Sequence, residues 1–314
     1  MATKPRIGLA LGAGGTIGWP FHLGVLEGLE AVTGLGPADL VALVGTSAGG
    51  AIAASARGGA STEEILASVN RPITDADRQR MMEAGARPGR RPRLPFIGRP
   101  QAPGLIRRGG AVGLVGALPA GAFPTFPLRR FPLEGLADPG PDTAAHPDTA
   151  HIRWPGNLWL PAVRLDDGKT VVFGRDRTDV DVADAVEATS AVPLLFRPKV
   201  IGDERFVDGA VASATHLDLF TPLSPELVVI ASPMTRPGRG PVKARARRQL
   251  AAERARLDAA GIRTVLIEPD AELVALADGY PRHRPDAGPA VVAAARALTE
   301  AALAAVVAPE RRAA

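Results

Sequence analysis

Ser47 stands in Gly45-Thr46-Ser47-Ala48-Gly49, and Asp208 opens Asp208-Gly209-Ala210 far downstream. A hydroxyl and a carboxylate of this kind can carry nucleophilic acyl transfer, the oxygen attacking a carbonyl as the acid group takes its proton. The Gly-x-Ser-x-Gly sequence follows the apolar run Leu40-Val41-Ala42-Leu43-Val44 and precedes an Ala-rich helical pattern from Ala48 to Ala56. At such a strand-to-helix turn the serine is strained and its hydroxyl exposed, and Gly45 and Gly49 avoid collisions two positions to either side. A helix beginning at Ala48 would aim its N–H groups and positive dipole end at the serine oxygen. A plain Gly-rich connection has the same composition, and an isolated Asp-Gly is in most cases a turn. An ordinary carboxylate is also a weak base for a serine, so Asp208 needs burial to raise its pKa.

Gly12-Ala13-Gly14-Gly15-Thr16-Ile17-Gly18 is a second Gly-rich turn. As a dinucleotide loop it fails on spacing, because a G-x-G-x-x-G pattern from Gly12 needs glycine where Ile17 stands, and no clear ribose-binding acid ends a second strand. It reads better as an oxyanion hole, where bare backbone lets several N–H groups face a tetrahedral intermediate. A ligand-free helix-opening turn is the plain alternative. His146, Asp148 and His151 have a conceivable metal spacing but lie in a Pro-rich loop without helical register, so no metal site is expected. His22, His216 and His283 could each complete a Ser-His-Asp triad. His22 reads as packed or capping, and His283, between Arg282 and Arg284, as solvated.

The elements that must position these residues alternate. Strands are expected at 6–11, 40–44, 158–164, 170–173, 199–201, 205–207, 227–231 and 263–268, with helices at 18–32, 48–56, 61–69, 179–189, 243–260 and 289–307. Ser61-Thr62-Glu63-Glu64 fits a capping box. This order predicts an α/β three-layer sandwich around a mostly parallel sheet, whose chemistry lies beyond the strand C-termini. The Gly-rich turn, Ser47 and Asp208 each follow a predicted strand, so they can converge. We expect one α/β domain over 5–275 with a Pro/Arg-rich helical insertion or lid at about 87–157, and a C-terminal helical segment at 276–314 packing on it.

Of the 314 residues 46% are hydrophobic, ample for a core, and there is no cysteine, which excludes disulfides and thiolate chemistry. The short polar N-terminus and the absence of a run of roughly 18 uninterrupted apolar residues make a cytoplasmic protein the expectation. The net charge of +4 has a local origin: from Arg78 to Arg130 there are eleven arginines and a single acid, Glu83. Such a stretch predicts either peripheral contact with anionic membrane or a solvated Arg-rich surface. Nucleic acid is not expected as a partner, and the sequence leaves the oligomeric state open.

In this order the Gly-rich loop, the serine elbow and the distal Asp-Gly-Ala resemble the patatin-like phospholipases, a family of Ser–Asp acyl hydrolases. Ala188-Thr189-Ser190-Ala191-Val192-Pro193-Leu194-Leu195-Phe196 resembles the family's Ser-x-x-Pro-x-x-Phe segment, and the likeness covers roughly 5–85 and 155–270. It implies Ser47 as nucleophile and Asp208 as its direct base without a histidine. The N–H groups of Gly14, Gly15, Thr16 and Ala48 are implied as oxyanion donors, a lipid or lipid-like acyl ester as substrate, and no cofactor. Two residues depart from the pattern: Ala13 replaces a usual glycine, and Ile17 a usual arginine or lysine. The rival readings are an α/β-hydrolase with a Ser-Asp-His triad, whose elbow normally follows several strands where Ser47 follows two, and a catalytically weak lipid-binding module.

Overall fold

The computed structural model describes residues 4–83, 99–136, 154–236, 238 and 240–311. Its first half runs β1 (Ile7–Leu11), α1 (Gly15–Thr33), β2 (Ala42–Gly45), α2 (Ala48–Arg57), α3 (Thr62–Asn70), α4 (Asp75–Glu83) and α5 (Gly110–Ala117). Then come β3 (Leu158–Arg164), β4 (Thr170–Phe173), α6 (Val182–Thr189), β5 (Lys199–Ile201), β6 (Glu204–Asp208) and β7 (Leu227–Ala231). The chain continues through α7 (Pro241–Ala259), β8 (Arg263–Ile267), α8 (Ala271–Leu276) and α9 (Gly288–Arg311).

β1, β2 and β7 are buried at every residue, as parallel strands covered on both faces must be. The eight strands form one sheet in the order β5-β6-β3-β2-β1-β7-β8, with β4 also paired to β3. Pairings among β1, β2, β3, β7 and β8 are parallel, whereas β3–β4, β3–β6 and β5–β6 are antiparallel. Alternate residues of β1 serve opposite cores. Ile7, Leu9 and Leu11 pack with Phe21, Ile52 and Val291 of α1, α2 and α9 on one face. Ala10 faces the other way, toward Phe220 and toward Leu250 and Leu257 of α7. The result is the expected three-layer α/β sandwich.

A third apolar cluster joins Ala102, Leu105 and Val115 to Val163, Val207 and Val211, so residues 102–115 lie on the β3–β6 part of the sheet, whereas Phe131, Leu133 and Leu136 pack into the main core. α9 packs against α1 through Val291, Ala295 and Leu303. By length and composition the stretch Pro285–Val306 is apolar enough to cross a membrane, although Arg296 and Glu300 interrupt it. The Ser61–Glu64 capping box is present in full. α1 begins three residues earlier than expected, at Gly15, so half of the Gly-rich turn is the first turn of a helix.

β3 acts as the ruler of the site. Its register with β2 pairs Leu43 with Leu158 and Val44 with Trp159, so the parallel strand climbs toward Pro161. β6 runs the opposite way and pairs Asp208 with Ala162, so it descends to the same residue. β4 pairs with the other edge of β3 at Leu160 to Val163. β2 and β6 therefore meet head-on along one edge, and a Cβ added to Gly209 would lie 2.3 Å from the Pro161 carbonyl oxygen and 3.2 Å from Thr46 Cγ2. Proline offers no N–H to a neighbouring strand, and it stands here where one partner strand stops and the next begins.

Candidate active site

The meeting of β2 and β6 brings Ser47 to Asp208. Ser47 has φ 56° and ψ −122°, a left-handed conformation that costs a non-glycine residue about 1–3 kcal/mol. The turn can be this tight because its flanks are bare. A Cβ on Gly45 would stand 2.6 Å from Gly50 Cα, and one on Gly49 only 2.0 Å from the Leu11 carbonyl oxygen. We expect Gly49→Ala to destabilise the fold by about 3 kcal/mol or more, because backbone atoms of β1 cannot yield as a side chain would. A thermal melt within about 1 °C of the parent would contradict this close packing.

The strain is held by the end of α6. Thr189 Oγ1 accepts from the Ser47 N–H at 3.2 Å and donates to the Pro161 carbonyl at 2.6 Å. Ser190 Oγ donates to the Ser47 carbonyl at 3.1 Å. Thr189 ties the serine turn to β3, and Ser190 ties it to the end of α6. The sequence had marked them only as part of a motif segment, because a threonine closing a helix carries no sign that its hydroxyl serves another element.

Asp208 is 3% exposed. Burial pushes its pKa up to about 6, against hydrogen bonding from the Ser47 side chain and from the Ala210 N–H, which lies 2.8 Å from Oδ1. The carboxyl is therefore a much better proton acceptor than a free aspartate while still ionised at neutral pH. The burial that the sequence reading required is present.

The Gly-rich turn is fixed at its base. Gly12 N–H donates to Ala231 and Ala13 N–H to Ala214, both at 2.9 Å. The next N–H groups, from Gly14 through Thr16, begin α1 and have no partner within that helix. A Cβ on Gly14 would lie 2.8 Å from Gly18 Cα and from Pro233 Cγ, which explains the glycine where the loop passes the β7 exit. His22 lies beneath the loop, its Nε2 donating to the Gly12 carbonyl at 2.7 Å. Burial depresses its pKa to about 4, so the ring is neutral and serves as a prop. Ile17 is half-buried against the main core, so a hydrocarbon fills the position of the cation found in the patatin pattern.

His216 is no closer to a triad role. Its ring meets the Gly209 carbonyl at 3.1 Å, and burial holds its pKa below the ordinary value. Beside it the buried Glu253 of α7 accepts from Ser213 Oγ at 2.6 Å, Thr215 Oγ1 at 2.8 Å and the Leu217 N–H at 3.2 Å. These bonds anchor the loop that follows Asp208. Glu253 went unnoticed in the sequence because Arg-Gln-Leu-Ala-Ala-Glu-Arg-Ala-Arg reads as a solvated helix face. His283 is exposed, and His146, Asp148 and His151 lie outside the described residues. Among the described residues no acidic or histidine cluster could hold a metal.

Fold and site together define a three-layer α/β protein with a serine elbow set against a buried carboxylate. A family model described as patatin-like phospholipase matches residues 9–221, which span the Gly-rich loop, the elbow and Asp208, and the chain belongs to that family. Among solved structures it is similar to VipD from Legionella pneumophila, at 14% identity over 96% of this chain and 68% of that one, with a TM-score of 0.40. It is also similar to the type III effector protein ExoU, at 18% identity and a TM-score of 0.39, covering 96% of this chain and 53% of that one. The chain thus spans about half the length of ExoU. No protein of curated function matches it in sequence.

Proposed function

We propose that the protein hydrolyses acyl esters of lipids through a Ser47–Asp208 dyad. Asp208 removes the proton from the Ser47 hydroxyl as Oγ attacks the ester carbonyl. The N–H groups of Gly14, Gly15, Thr16 and Ala48 receive the oxyanion. The proton then passes to the leaving alkoxide, which departs as an alcohol and leaves an acyl-Ser47 ester. Water, deprotonated by Asp208, releases the fatty acid and restores the serine. No cofactor takes part.

The observation that carries this reading is the buried Asp208 carboxyl, raised to about 6 and hydrogen-bonded by the side chain of a strained serine. Both well-buried histidines direct Nε2 at backbone carbonyls, so the direct base is the simpler chemistry. Val192 and Leu195, exposed on the loop that follows Ser190, give an apolar rim suited to an acyl chain. The arginine-rich stretch from Arg78 to Arg130 supports action at an anionic membrane surface from the cytoplasmic side.

A fluorophosphonate probe should label the purified protein at one site and fail to label Ser47→Ala. Labelling that survives Ser47→Ala would overturn the assignment. An acyl-ester panel on the unlabelled protein then identifies the preferred chain.

A further inference from the structure

Away from Ser47, the turn after α3, helix α4 and the 126–130 turn enclose a cavity of about 300 Å³. Arg71, Arg80 and Arg130 line it, with Asp77 as the carboxylate among them. Asp77 is already committed, accepting from the Thr74 N–H at 3.0 Å and Thr74 Oγ1 at 2.8 Å. Arg130 spends one N–H on the Val69 carbonyl at 3.1 Å. Arg71 and Arg130 both act electrostatically on Asp77, which is thus one carboxylate shared among the cations of the cavity. Burial and then the neighbouring Arg71 hold the Arg130 pKa below its ordinary value, so two guanidinium groups face one space and repel.

Three cations around one committed carboxylate leave an excess of positive charge in a concave, partly desolvated space. An oxyanion with several acceptor oxygens satisfies that arrangement, and guanidinium forks match phosphate geometry. The rim points to the source of the phosphate. Ile73 of the cavity lining is 44% exposed, and Met82, next to the lining residue Met81 on α4, is 58% exposed. Apolar side chains beside a cationic cavity fit the interface of an anionic bilayer and have no use for a free ion.

We propose that the Arg71–Arg80–Arg130 cavity is a binding site for the phosphate group of an anionic phospholipid, with Ile73 and Met82 entering the interface beside it. The site is independent of turnover at Ser47, so it can fail while the hydrolase reading stands, and the reverse also holds.

The full chain would be sedimented with phosphatidylcholine vesicles containing phosphatidic acid. Arg71→Gln/Arg80→Gln would be compared with Arg248→Gln/Arg256→Gln, which removes equal charge from exposed positions on α7, across the sheet. The cavity pair should weaken vesicle binding at least tenfold, with thermal midpoint and fluorophosphonate labelling unchanged, and the α7 pair should leave binding within twofold. An equal loss in both pairs would reduce the effect to diffuse charge and overturn the site. Stabilisation by inorganic phosphate without vesicle binding would assign the cavity to a free anion and overturn the lipid source. Binding of a labelled oligonucleotide by the parent, lost in Arg71→Gln/Arg80→Gln, together with no vesicle binding, would assign it to nucleic acid and overturn the proposal. Ile73→Ser/Met82→Ser should weaken vesicle binding while leaving any response to inorganic phosphate intact, and unchanged vesicle binding would remove the rim from the proposal.

Discussion

Asp208→Asn and Ser47→Ala are each expected to lower kcat for ester hydrolysis by roughly a thousandfold or more, and the double variant should be no slower than either single one. On the proposed mechanism the two side chains act as one unit: without its base the hydroxyl would be a poor nucleophile, and without the hydroxyl the base would have no proton to take. Because burial places the Asp208 pKa at about 6, activity of the parent should fall with one-proton dependence as the pH drops through that value and level off above it. Single-turnover measurements from pH 4.5 to 8 on a soluble ester would test both statements. Residual activity of Asp208→Asn within tenfold of the parent would disprove direct base catalysis by this carboxylate. Single substitution of His22 or His216 should leave a measurable rate with the same pH midpoint.

Asp208→Asn should also make the protein more stable at neutral pH. The folded carboxyl titrates near 6 and the ordinary value is 3.8, so the unfolded chain loses its proton first as the pH rises. Stability tied to this group is fully present below about 4, declines between 4 and 6, and stays lower above that range by about 3 kcal/mol. Asparagine keeps the size and the acceptor for Ala210 N–H and carries no charge to desolvate. Denaturant titrations at pH 4 and pH 8 should show a gain of about 2–3 kcal/mol for the variant at the higher pH only. An equal effect at both values would mean that packing, not ionisation, sets the difference. The burial that would suit Asp208 to act as a base would thus also weaken the fold, a trade common at catalytic sites.

Much of the frame was legible in the sequence because it rests on short-range signals. Buried parallel strands are uninterrupted apolar runs, so β1, β2 and β7 stood out, and Ser47 was marked by the glycines that its turn demands. Helix α4 left no such trace: Met81 is its one buried residue, so there is no apolar stripe to see. The antiparallel descent of β6 was also hidden, because strand direction depends on pairing with residues some forty positions away. Glu253, Thr189 and Ser190 illustrate the same limit. Each is an ordinary polar residue on or just past a helix, and only the fold shows that its oxygen reaches a distant backbone. The Gly-rich turn was found by its glycines, yet its true start as the first turn of α1 was not, because glycine is a poor helix former and reads as loop.

The head-on meeting of β2 and β6 at Pro161 has a consequence for the life of the chain before it is folded. Ser47 and Asp208 are about 160 residues apart in sequence, and bringing such distant strands to one edge carries a high closure cost that only the finished sheet repays. During synthesis the serine leaves the ribosome long before its aspartate exists, and β2 can acquire neighbours while the edge awaiting β6 stays open. Ser47 is therefore without Asp208 beside it until the sheet is nearly complete. On the proposed mechanism, hydrolytic activity would therefore appear only with the finished sheet, and a partly made chain would be inactive toward lipid esters.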